Sequence, residues 1–100
     1  MPAKVVVTKR ADDDMAKAIA YLEENVGEKS ADIFTKKVFD TIQKIRKTEV
    51  VAYQIVDSKI NIRRCKIDAH NYLYYQIIND SLINVLTIFD SRQNPKKLKL

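Results

Sequence analysis

The chain is predicted to be an α+β domain: an N-terminal strand, then an antiparallel helical hairpin packed on a twisted antiparallel sheet of three to four strands. Three observations predict it. Apolar residues recur at spacings of three and four through two successive segments, Lys9 to Asn25 and Glu28 to Lys47. From Ile60 onward the pattern changes to alternation and near-continuous apolar runs. The single glycine, Gly27, falls between the two helical segments, where a helix end favours it.

Each element has its own local reason. Lys4-Val-Val-Val-Thr8 is short and β-branched, which suits a strand, and Thr8 closes it as the N-cap of the first helix. In that helix Ala11, Met15, Ala18, Ile19 and Leu22 form one apolar stripe. Asp12, Asp13 and Asp14 sit in its opening turns, where the helix dipole favours negative charge; consecutive carboxylates point around a helix and do not converge on a metal. Ala31, Phe34, Val38, Ile42 and Ile45 make the stripe of the second helix, beginning near Glu28 or Ser30. So short a link forces an antiparallel hairpin, and since neither stripe can cover the other fully, a sheet must complete the core.

The stretch from Lys47 to Ser58 is the least regular, with Val50 to Tyr53 and Ile55-Val56 fitting either a short strand or an extended loop. Between Ile60 and Ile67 the apolar alternation changes phase across Arg63-Arg64, which predicts a bulge or an end of pairing near them; a bulge would turn both guanidinium groups outward. Asp68-Ala-His-Asn71 is turn chemistry, and Asn79-Asp80-Ser81 a tight hairpin turn. Between them Leu73, Tyr75 and Ile77 share one face, leaving Tyr72 and Tyr74 on the other. Leu82 to Phe89 is nearly all apolar, as in a central strand.

One hundred residues make a single domain, residues 1–100, with one modest core. Cys65 is the only cysteine and His70 the only histidine, so no internal disulfide forms and no zinc site is expected; no cofactor is implied. No apolar stretch reaches the roughly 18 residues of a membrane span, and the opening residues lack a signal-peptide core, so a cytoplasmic protein is expected. From Met1 to Asp57 ten Lys+Arg face ten Asp+Glu, whereas Ser58 to Leu100 carries eight against three. The formal +5 therefore lies wholly in the C-terminal part, which points to a polyanion or an acidic protein as partner.

That asymmetry singles out the candidate binding residues. Arg63, Arg64, Lys66 and Arg92 can gather into one patch if neighbouring strands bring them together; the bland alternative is a solvated sheet face. Tyr72 and Tyr74 offer stacking surfaces beside the cations, whereas Tyr75 belongs with the core. His70 is of a type that can act as acid or base but sits in a turn with no evident partner; Asp90 either orients Arg92 or caps the strand end. Cys65 reads as a small core residue.

In order and spacing, Val5 to Ala11, Tyr21-Leu-Glu-Glu-Asn25, Ile62-Arg-Arg64, His70-Asn-Tyr-Leu-Tyr-Tyr75 and Ile88-Phe-Asp-Ser-Arg-Gln-Asn-Pro95 resemble one family over nearly the whole chain. It is the RelE/ParE superfamily of toxins from type II toxin-antitoxin systems, often labelled plasmid stabilisation proteins. The resemblance implies a growth inhibitor held inactive by a cognate antitoxin, alone as a homodimer or in a toxin-antitoxin hetero-oligomer. RelE-like members cleave mRNA on the ribosome without metal, and ParE-like members inhibit DNA gyrase. If the chain is an RNase, Arg63, Arg64 and Arg92 are the residues to stabilise the phosphate. Tyr72 stands where the family usually has an arginine, and no tyrosine or histidine comes after Phe89, so the resemblance favours the ParE-like side. A degenerate toxin that retains only antitoxin binding is the third reading. On any of them, Arg63, Arg64, Lys66, His70, Tyr72, Tyr74, Asp90 and Arg92 are the expected contacts to the target.

Overall fold

The computed structural model describes residues 3–47 and 52–100. Val50 and Val51, read as the beginning of a strand or loop, lie outside the described residues; the strand is seen from Tyr53. The elements run β1 (Lys4–Val7), α1 (Lys9–Asn25), α2 (Glu28–Arg46), β2 (Tyr53–Asp57), β3 (Ile62–Lys66), β4 (Asn71–Asn79) and β5 (Leu82–Asp90), then a short 3₁₀ turn, Pro95–Lys97. They form one sheet in the order β1-β5-β4-β3-β2. The α+β class and the helical hairpin are as expected. The sheet has five strands, and it is mixed because β1 joins β5 in parallel.

A four-residue apolar strand cannot stand alone, and β5 is the most apolar strand available to it. Val5 pairs with Ile83 and Val7 with Val85. Thr8 fixes where the strand stops: its hydroxyl donates to the Val85 carbonyl at 2.8 Å and accepts from the Ala11 N–H at 3.2 Å. One side chain thus ties the first turn of α1 to the middle of β5. At the other end of α1, only Val26 and Gly27 separate the helices. Gly27 has φ 136°, a conformation side-chain-bearing residues rarely adopt, and its N–H bonds the Leu22 carbonyl at 2.7 Å.

The helix stripes meet one face of the sheet in two adjoining clusters. Ala11, Ile45, Cys65, Leu73, Tyr75, Ile83 and Val85 form the first, and Phe34, Val38 and Ile88 the second, with Ile42 and Ile67 packed against both. Leu73 and Val85 are fully buried at the centre. Burial pushes the Cys65 thiol up to about 11, so it stays protonated and shielded. Native protein at about pH 8 should resist thiol reagents and react stoichiometrically once urea is added; rapid labelling of the folded chain would contradict this burial.

The turn between β3 and β4 is built on Asp68. Its Oδ1 accepts from the N–H groups of His70 and Asn71, each at 2.9 Å, and the Asn71 side chain donates to both oxygens. Burial acts to raise this carboxyl, yet those hydrogen bonds and Lys37 outweigh it and hold it below its usual range. A depressed acid stabilises the fold above its unfolded value, near 3.9, and loses that contribution as pH falls through the folded value. Asp68→Ala should therefore lower the urea midpoint at neutral pH and flatten the acid limb of the stability curve below about pH 4. An unchanged acid limb would remove Asp68 from this role.

Candidate functional site

Strand β3 pairs without interruption to β4, so its side chains alternate strictly between the two faces. The expected bulge lies instead in β2, between Ile55 and Asp57. As a consequence Arg63 and Arg64 do not both turn outward to one side. Arg63 shares the face of Cys65 and lies over the Tyr53 ring at 4.3 Å, out at the edge strand. Arg64 points to the opposite face with Lys66. The phase change seen in the sequence arises because Ile62 is buried on the second face, not because the strand is broken.

On that second face Lys66 pairs with Tyr72, and Arg64 with Tyr74. The Arg64 guanidinium lies over the Tyr72 ring at 4.4 Å, donates to the Gln54 side chain at 2.6 Å and to the Tyr74 hydroxyl at 3.2 Å. Such a stacked, hydrogen-bonded arginine presents a fixed planar edge. Tyr74, expected on an open face, is buried at 3% exposure, and its hydroxyl accepts from Arg64. Tyr72 is half-buried and keeps an accessible side.

Arg92 belongs to a different place. It lies just beyond β5, and Asp90 grips it twice, accepting from Nε at 3.1 Å and from Nη2 at 2.7 Å, while also accepting from the Arg92 N–H at 2.8 Å. The side-chain hydrogen bond from Arg92 holds the Asp90 carboxyl below its ordinary range. The exposed residue His70 lies beside it, its carbonyl accepting from the Ser91 N–H at 2.7 Å. Of the expected contacts, then, Arg64, Lys66, Tyr72 and Tyr74 come together; Asp90, Arg92 and His70 form a second group, and Arg63 stands apart.

Asp90 and Arg92, but not His70, line a cleft of about 640 Å³ between α1 and the end of β5. Arg10, Asp14, Lys17 and Tyr21 recur along one face of α1 and form its wall, with Arg92 and Lys97 opposite. Leu22, Phe34 and Ile88 lie at its base. Asp14 is no mere dipole partner: the Thr87 hydroxyl donates to it, and Arg10 Nε stands 3.8 Å away. Sequence reasoning did not find this helix wall. Its signal was available in the i, i+4, i+7, i+11 spacing of polar residues beside the apolar stripe.

The family model that describes the ParE toxin of type II toxin-antitoxin systems, parDE, matches residues 5–95. No curated protein matches the chain. Among solved structures, the chromosomal ParDE system from P. aeruginosa superposes with a TM-score of 0.71 at 10% identity, covering 88% of this chain and 95% of that one. A copper-bound mutant toxin from Helicobacter pylori gives 0.64 at 18% identity, covering 90% and 94%. The YoeB dimer from Staphylococcus aureus gives 0.60 at 15% identity, covering 87% and 94%. At these identities the structures establish a shared fold, and the family match carries the assignment: the chain belongs to the ParE toxin family of type II toxin-antitoxin systems.

Proposed function

We propose that the protein arrests growth by binding DNA gyrase and is neutralised by a cognate antitoxin. The observation that carries this reading is the partition of its cations. Arg63 and Arg64 lie on opposite faces, and Arg92 is gripped by Asp90, so no pair of them converges on one phosphate. Metal-independent RNA cleavage requires such convergence, together with an acid or base beside the reacting hydroxyl. The face of Arg64, Lys66 and Tyr72 is better suited to holding a macromolecular surface, since stacked arginine and tyrosine are the side chains that dominate such contacts; Tyr74 is buried and serves it only by holding Arg64. The antitoxin is implied by the family and by the ParDE system among the structural relatives.

The purified protein should inhibit gyrase supercoiling while leaving a reconstituted translation reaction untouched. Ribosome-dependent mRNA cleavage, abolished by Arg92→Ala, would replace this reading with an mRNA interferase. An absence of growth arrest on expression would leave a protein that retains antitoxin binding only.

A further inference from the structure

Arg64 is anchored from both neighbouring strands. From β2 the Gln54 side chain accepts from Nε at 2.6 Å; from β4 the Tyr74 hydroxyl accepts from Nη1 at 3.2 Å, and the Tyr72 ring stacks on the guanidinium at 4.4 Å. Of the five N–H groups that a guanidinium carries, one on Nε and one on Nη1 are thus engaged within the chain. Both on Nη2 and the second on Nη1 are left for a partner. Among the described residues no carboxylate pairs with Arg64, nor with Lys66, which lies two positions along β3 on the same face, about 7 Å away. Gln54 is exposed on the edge strand and belongs to neither core cluster, so its bond to Arg64 is not a by-product of packing.

We propose that Arg64 is a preset fork for one carboxylate of the protein target, and that Gln54 is the positioning residue that sets it. The proposal rests on the target-binding reading of this face given above and names its chemistry. The unengaged N–H groups suit a planar acceptor with two oxygens, and a charge-assisted pair of that kind fixes direction as well as affinity. Because Gln54, Tyr72 and Tyr74 hold the guanidinium beforehand, binding does not have to order a free arginine chain. Lys66 adds a second, untethered charge beside it. A nucleic acid fits this face less well. Arg64 already covers one face of the Tyr72 ring, where a base would stack, and a phosphate backbone asks for a track of cations where β2 to β4 offer only Arg64 and Lys66.

The test is a double-mutant cycle on the full chain, read as the dose that halves gyrase supercoiling and as growth arrest on induction. The variants are Gln54→Leu, Arg64→Ala, Arg64→Lys and Gln54→Leu/Arg64→Ala, and thermal melts check that each is folded. We expect potency to fall about tenfold in Gln54→Leu, about thirtyfold or more in Arg64→Ala and nearly as far in Arg64→Lys, with the double variant no weaker than Arg64→Ala alone. If Gln54→Leu costs as much again when Arg64 is already alanine, Gln54 acts on its own account; full potency in Gln54→Leu or Arg64→Lys means that charge without orientation suffices. Either result overturns the proposal. Fluorescent hexaglutamate and a fluorescent RNA hexanucleotide, compared at equal ionic strength, then identify the acceptor. Arg64→Ala should weaken binding of the peptide; if it releases the RNA and leaves the peptide bound, the face is a nucleic-acid site and the proposal falls. Should the unmodified protein leave gyrase untouched, the gyrase reading falls by itself, because growth arrest and peptide binding still rank the variants.

Discussion

Leu73→Ala should lower the unfolding free energy by about 3 to 4 kcal/mol, the middle of the range that buried leucine truncations cost. Leu73 has no exposed surface and sits on β4, with Cys65 paired to one side and Ile88 to the other. Strands flank it on both sides and α2 residues such as Ile45 pack against its cluster, so few neighbours are free to move into the space. For a domain of one hundred residues that loss corresponds to a melting temperature lower by about 12 to 25 °C. It is also a large fraction of the roughly 5 to 15 kcal/mol that holds such domains together. A loss under about 1 kcal/mol would mean that the core is centred elsewhere.

Tyr72→Ala is the second change with a large expected effect, this time on action and not on folding. Removing the ring takes away the accessible aromatic surface and also the platform that fixes the Arg64 guanidinium. Tyrosine and arginine at the centre of an interface each cost about 2 kcal/mol or more when lost, so if gyrase is the target, as proposed, its inhibition should weaken by about thirtyfold or more. Tyr72 is half-buried and lies outside both core clusters, so the melting temperature should move far less than for Leu73→Ala. Full potency in the variant would place the target contact elsewhere on the molecule. The mRNA-cleavage alternative separates from this one through Arg92, which sits in the other group and which Tyr72 does not support.

The helices were legible because each carries an apolar stripe that only the helical period explains, and because Thr8 and Gly27 are chemically suited to the ends they occupy. The hairpin of β4 and β5 was legible from Asn79 to Ser81, whose turn is closed by the Asn79 side chain accepting from the Ser81 N–H at 2.8 Å. The partner of β1 was not, since pairing between the first and last strands leaves no mark on local periodicity. The cations misled for a related reason. Alternation reports which residues share a face, but Ile62 is buried on the face of Arg64, so burial there mimicked a broken strand. Nor could spacing reveal that Asp90 would engage Arg92, or that Asp14 would reach Thr87 across the fold.

The pairing of β1 with β5 has a temporal consequence. Thr8 and Val85 are 77 positions apart, yet the hydroxyl of one closes on the carbonyl of the other. During translation β1 emerges first and must wait, unpaired, until β5 has left the exit tunnel. A nascent or prematurely terminated product ending before Leu82 therefore lacks the strand that pairs with β1 and completes the sheet.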